Sequence, residues 1–240
     1  MILAIETATP ACAVALKMEN GETIEKWEYG KGIHSERLFQ FMEEVLKEAR
    51  VGVDNLCAVL VSAGPGSYTG LRIAASAVKG LLFQSKTPLY KVNTLASMAM
   101  SVFDSGEYEE NTAIHAVIDA RRRHLYHQKY VVKNQIPVPE EPVCLRPLDS
   151  FEQLIEKGDL LVGTGYERLG EQVQARLDVK PKKWIRAKPA IGWYGLYQAD
   201  KESISEDKLM EKYGGIIEPA DVITFEPDYH TEHQTVRKKQ

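Results

Sequence analysis

Few residues in this chain have types and spacings suited to chemistry, and each has a plain structural alternative. Gly64-Pro65-Gly66-Ser67-Tyr68-Thr69-Gly70 lies between an apolar run and a helical pattern. Free N–H groups and the helix dipole can hold an anion at such a place. The loop lacks the Lys-Ser/Thr of a Walker motif, and Thr69 stands where a dinucleotide fingerprint needs its third glycine. A tight turn with close backbone packing is the alternative. Glu6 and Asp119 each end the first strand of one half of the chain, where open sheets bind ligands; otherwise they cap turns. His34-Ser35-Glu36 has Leu38 where a helical zinc pair needs a second histidine. His124 and His127 fall on opposite faces of a strand, and His230 and His233 lie in the tail, so no metal site is expected. Ser62 and Ser67 lack a G-x-S-x-G context, and the strand after Cys57 should bury that thiol.

The composition narrows the class. The chain has 240 residues, 44% hydrophobic and 27% charged, which excludes a wholly disordered, fibrous or disulfide-dense protein. A net charge of −4 argues against holding nucleic acid by bulk electrostatics. No apolar run reaches the roughly 18 residues of a membrane helix, and Met1 to Thr7 reads as a strand rather than a signal peptide. Cys12, Cys57 and Cys144 are expected to be buried free thiols in a reducing cytosol.

The elements follow from the hydrophobic period. Residues 2–7, 12–16 and 23–29 are short runs joined by turns, an antiparallel meander. From Ser35 to Ala49, Leu38, Phe39, Phe41, Met42, Val45, Leu46 and Ala49 form one stripe of an amphipathic helix. Residues 57–63 form a continuous apolar run, the mark of a central strand. The spacing predicts a helix over 71–83, apolar nearly all round, with Gly80 implying close packing. Further elements are expected at 89–92 (strand), 94–103 (helix), 113–119 and 124–132 (strands), 150–157 (helix), 160–163 (strand), and 167–177 and 193–201 (helices). Both halves open with a strand, a turn and a strand. That suggests two related α/β units, at 1–104 and 105–225, with a basic-ended tail at 226–240.

Several stretches together resemble one family. They are Ile2 to Thr9 with Cys12 to Leu16, His34-Ser35-Glu36 with Leu38, Gly64 to Ile73 with Lys79-Gly80-Leu81, and Ile118-Asp119-Ala120-Arg121-Arg122. This pattern is similar to the TsaB (YeaZ) family, the bacterial partner of TsaD in making threonylcarbamoyladenosine at position 37 of certain tRNAs. The resemblance implies the actin/sugar-kinase/Hsp70 (ASKHA) fold, with two related domains, each a mixed sheet with flanking helices. ATP-using members have a glycine in the turn after strand 1 of each domain; Glu6-Thr7-Ala8-Thr9 and Asp119-Ala120-Arg121-Arg122 have none. The resemblance therefore implies a non-catalytic subunit with no cofactor of its own, ATP and metal residing on the partners. An ATP-dependent phosphotransferase or ATPase of the same fold is the alternative, and a metallopeptidase a third reading.

The family also implies docking to TsaD through the first two helices, homodimer formation through the same surface when TsaD is absent, TsaE as a further partner, and tRNA met through the complex. Residues expected at the interface are His34, Leu38, Phe41, Met42, Val45, Leu71, Arg72, Ala74, Ala75 and Val78, with Gly64 to Gly70 as the motif loop. Within the second helix, Leu71, Ala74 and Val78 are assigned to the partner side and Ile73, Ala77 and Gly80 to the flank. Glu6 in place of the family's usual Asp, and Pro227-Asp228-Tyr229 followed by His-Thr, are departures from the pattern.

Overall fold

The computed structural model describes residues 1–177 and 185–229. Strands β1 (Ile2–Glu6), β2 (Ala11–Lys17) and β3 (Thr23–Tyr29) form the expected meander. Helix α1 (His34–Ala49), strand β4 (Ala58–Gly64), helix α2 (Tyr68–Leu81), strand β5 (Leu89–Asn93) and helix α3 (Thr94–Ser101) complete the first half. The second half opens with β6 (Ala113–Asp119) and β7 (His124–Lys133), then β8 (Ile136–Pro139) and β9 (Cys144–Pro147). After α4 (Leu148–Glu152), β10 (Leu160–Val162) and α5 (Glu171–Gln174) come α6 (Lys188–Lys201), α7 (Glu206–Tyr213) and β11 (Ile217–Ala220). Among the described residues, no helix is long and apolar enough to cross a membrane.

Two sheets result. The first runs β11-β5-β4-β1-β2-β3, with β1, β4 and β5 parallel; the second runs β10-β6-β7-β8, with β9 also on β7. Side-chain alternation sorts the first sheet into two cores. Leu3, Ile5, Cys12, Val14, Leu16, Val59 and Val61 face α1 and α2. Ala4, Ala13, Ala15, Ala58 and Leu60 face α3 and α6. The small alanines let α6 lie close to β1, β2 and β4. Both faces are thus covered, which is why β4 is apolar and buried throughout. Helices α3 and α6 lie between the sheets, and Phe151, Ile155, Leu169 and Val173 cover the second sheet's outer face.

Several expectations need correction. Residues 217–220, assigned to the second unit, form an edge strand of the first sheet, paired with β5. The strand is four residues long and carries Pro219, so no alternation announces it. The helix expected at 167–177 is a 3₁₀ turn over Thr164–Arg168 followed by α5, interrupted at Gly170. The helix expected at 193–201 begins at Lys188, with Pro189 in the first turn, where proline is favourable. Helix α2 starts at Tyr68 rather than 71, because Ser67 caps it by accepting the Gly70 N–H at 3.2 Å. Cys12 is buried, but Cys57 is exposed and Cys144 half-buried; all three are free. The tail beyond Tyr229, with His230, His233 and Arg237-Lys238-Lys239, lies outside the described residues.

One carboxylate ties the halves together. Glu25 on β3 accepts the N–H groups of Ala187 (2.9 Å) and Lys188 (3.0 Å) at the start of α6, and the Arg186 Nε–H at 2.7 Å. Acceptance of orphan N–H groups by a largely buried anion is a strong form of helix capping. Glu25→Ala should lower unfolding free energy by about 1.5–3 kcal/mol, and Glu25→Gln by less. Equal melting temperatures for Glu25→Ala and the parent would refute this role.

Candidate functional site

The chemistry-bearing residues converge where β1 and β4 end. The turn after β1 and the glycine loop after β4 are stitched backbone to backbone. Ser67 N–H donates to the Ala8 carbonyl at 2.7 Å, and Thr7 Oγ1–H donates to the Gly70 carbonyl at 2.9 Å. Any side chain at Gly66 would strike the Ala8 carbonyl, and any at Gly70 the Thr7 carbonyl. The glycines at 66 and 70 therefore serve close packing, the plain alternative. Gly64, at φ 114°, admits the C-terminal segment, whose Asp228 N–H donates to the Ala63 carbonyl at 2.7 Å.

Beneath this turn lies Glu6, fully enclosed. Its Oε1 accepts the Ala8 N–H at 2.6 Å, and the Ser62 hydroxyl bonds it from β4. Burial pushes its carboxyl up to about 8, so it is largely neutral at pH 7. Ser62 also accepts the Thr7 N–H at 3.2 Å, a positioning role rather than a nucleophile's. His34 is buried and donates Nε2–H to the Thr9 carbonyl at 2.8 Å, pinning the start of α1 to the same turn. In the second sheet, the equivalent Asp119 accepts the Arg121 N–H at 2.8 Å and pairs with Arg168 at 2.8 Å.

Most of the residues expected at the interface are interior. Leu38, Val45, Ala74 and Val78 are fully buried, and Leu71, Phe41, Met42 and Ala75 nearly so, against the first sheet. Leu71, Ala74 and Val78, assigned to the partner side, face the chain's own core, as does Ala77 of the flank, while Ile73 is half-buried and Gly80 exposed. Apolar periodicity marks the stripe against the chain's own sheet, and nothing in that stripe says which side a partner takes. Of the residues named, only Arg72 is exposed. The outward face is instead a groove of about 420 Å³ lined by Ser35, Phe39, Tyr68, Thr69, Arg72, Ile73 and Ser76. Phe39 is 55% and Tyr68 56% exposed. Arg72 donates to the Tyr68 hydroxyl at 2.8 Å, and the Tyr229 ring packs 4.8 Å from that of Tyr68. Gly80 meets open space, so among the described residues nothing supplies the close packing it implied.

A possible metal cluster was not legible in the sequence. His127 Nδ1, Glu141 and Cys144 bring ligand atoms within 4.8 Å of one another. The Arg146 guanidinium already fills the position of a cation, donating to His127 Nδ1 at 3.1 Å and to both Glu141 oxygens at 2.8 and 3.0 Å. Burial holds His127 down at about 3, hence neutral, with Nε2 bonded to His115 and His115 to Asp159.

The two sheets with intervening and flanking helices define a protein of the ASKHA-like class. Its relatives agree. A family model described as TsaD, tRNA N6-adenosine threonylcarbamoyltransferase, matches residues 29–156. The tRNA threonylcarbamoyladenosine biosynthesis protein TsaB of Escherichia coli K12 is 34% identical over 69% of this chain and 72% of its own length. TsaB of Haemophilus influenzae is 29% identical over 73% and 77%. YeaZ from Pseudomonas aeruginosa superposes with a TM-score of 0.67 at 25% identity, covering 87% of this chain and 96% of that one. A further crystal structure, of a protein similar to peptidase YeaZ from Pseudomonas aeruginosa, gives 0.72 at 25% identity over 96% and 99%. The chain belongs to the TsaB (YeaZ) family.

Two outcomes follow from the packed turn. Gly66→Ala or Gly70→Ala should destabilise by roughly 1–3 kcal/mol or more, whereas Gly80→Ala should stabilise by up to about 1 kcal/mol; thermal melts rank all three. Because the Glu6 carboxyl is raised in the fold, its favourable contribution is complete below the unfolded value of 4.5 and lost as pH rises towards about 8. Glu6→Gln, which retains the acceptor for Ala8, should flatten the fall of melting temperature across that window. An unchanged slope would show that Glu6 is not the group responsible.

Proposed function

We propose that the chain is a non-catalytic scaffold in tRNA threonylcarbamoyladenosine biosynthesis. It binds TsaD through the outward face of α1 and α2, helps recruit TsaE, and meets tRNA within the complex, in the cytoplasm. The observation that carries this reading is the groove between the two helices. Phe39, Tyr68 and Ile73 present apolar surface there although every other apolar stripe of α1 and α2 is satisfied by the first sheet. A rim formed by Arg72 supplies a charge for orientation. The same face pairs two copies when TsaD is absent, and a stable association of this kind buries more than about 1,000 Å².

The non-catalytic part of the reading is supported by the two strand-end turns. Backbone carbonyls fill the space around Gly66 and Gly70, and Asp119 is committed to Arg168. ATP and metal chemistry then belong to the partner subunits.

The test separates surface from core. Phe39→Glu with Arg72→Glu should leave the melting temperature near that of the parent, since both side chains are exposed and such changes usually cost under about 0.5 kcal/mol. The double variant should lose co-purification with TsaD and self-association by light scattering. Ala74→Glu, in contrast, buries an unpaired carboxylate at a cost of several kcal/mol and should yield unfolded or aggregated chain. If the double variant folds and still binds TsaD at full strength, the docking face lies elsewhere.

A further inference from the structure

Three hairpin turns in this chain require left-handed backbone, and they differ in what supplies it. The β2–β3 turn uses Gly21 at φ 88°, and the β7–β8 turn uses Asn134 and Gln135 at φ 51° and 58°. Glycine and asparagine tolerate this region, and Gln135 is the one long side chain at positive φ in these two turns. The β6–β7 turn instead uses Arg121 and Arg122, at φ 67° and 50°. Two successive long side chains there oppose the local backbone preference, which favours Asn-Gly or Gly-Gly in such turns.

The surrounding structure holds that conformation in place. Asp119 accepts the Arg121 N–H, Arg168 bridges Asp119 and the Arg122 carbonyl, and Leu148 N–H donates to the Arg123 carbonyl at 2.9 Å. The charges around the turn also sort themselves. Arg168 neutralises Asp119, and Arg123 pairs with Asp149 at 2.9 Å. Arg121 and Arg122 are both exposed, and no described residue gives either guanidinium a hydrogen bond or an ion pair. A chain of net charge −4 thus carries, at one anchored hairpin, two unbalanced guanidiniums that the backbone conformation disfavours.

We propose that the Arg121-Arg122 turn is a contact for the backbone phosphates of an RNA strand. Guanidinium forks match phosphate oxygens bidentately. A local contact of this kind also suits a protein whose overall charge supplies no bulk attraction. The proposal rests on the family reading that the substrate of the assembled complex is a tRNA. It adds that this chain touches the RNA directly.

The test uses the chain assembled with TsaD and TsaE and a fluorescently labelled tRNA, with anisotropy followed across a salt series. The double variant Arg121→Gly/Arg122→Gly should melt at or above the parent temperature, because glycine relieves the backbone. It should bind tRNA roughly tenfold or more weakly, and its log–log salt slope should be shallower by roughly 1.5, for two lost phosphate contacts. Arg121→Lys/Arg122→Lys should recover much of that slope. Unchanged affinity and slope in an assembled complex would overturn the proposal. So would loss of TsaE or TsaD from the glycine variant with tRNA binding intact, which would assign the turn to an acidic protein surface. Failure of the unaltered chain to assemble with TsaD would sink the scaffold reading instead. The RNA contact would then stand or fall on the same slope measured with the isolated chain at low salt.

Discussion

The approach of two stretches of backbone, Thr7-Ala8 against Gly66 and Gly70, is the constraint on which the rest of the first half depends. Carbonyl groups come so near the loop that no Cβ fits between them. With that distance set, Ser67 sits where it caps α2, and the start of the helix is held against the turn after β1. His34, bonded to Thr9, then places the start of α1 beside the start of α2. The outward groove is therefore a by-product of how tightly the β1 and β4 ends are sewn together.

A second consequence concerns layers. In the first sheet, alternate residues divide between a large-residue face toward α1 and α2 and an alanine-rich face toward α6. The alanines admit α6 against the first sheet; α3 lies between the two sheets, buried on nearly every side, while α6 keeps an outward edge at Gly192, Gly195 and Ala199. Trp193 shows how close the fit is: its indole N–H donates to the Ala96 carbonyl on α3 at 2.9 Å. Helix α3 is committed to the interior, whereas α1 and α2 keep an outward face lined by Phe39, Tyr68 and Arg72.

Much of this was legible in the residues. The meander was legible from three short runs joined by turns, β4 from its continuous apolar run and α1 from its 3.6-residue period, and all of them formed. The family was legible because the glycine loop has a specific order of residues. Short elements were not: β8, β9 and β11 are four residues each, with prolines at edges, too brief for any period to register. The face proposed for docking was not legible for a different reason. Leu71, Ala74 and Val78 look like an interface because they are apolar and helical, but the sheet claims such residues first. Phe39, Ile73 and Tyr68 stand off that stripe, and only coordinates distinguish a stray aromatic from an exposed one. The Asp159–His115–His127 chain joins residues from β6, β7 and the loop before β10, a convergence that linear spacing cannot reveal.

The place of β11 bears on how the molecule comes into being. Strand β5 (Leu89–Asn93) is synthesised well before its outer partner, β11 (Ile217–Ala220). At ~5–20 residues per second, the open edge of β5 waits on the order of ten seconds before its neighbour emerges. An unpaired strand edge over that interval is a template for wrong pairing. The sheet that bears α1 and α2 is thus closed only once β11 has emerged, and any nascent polypeptide stopped before residue 217 carries that edge bare.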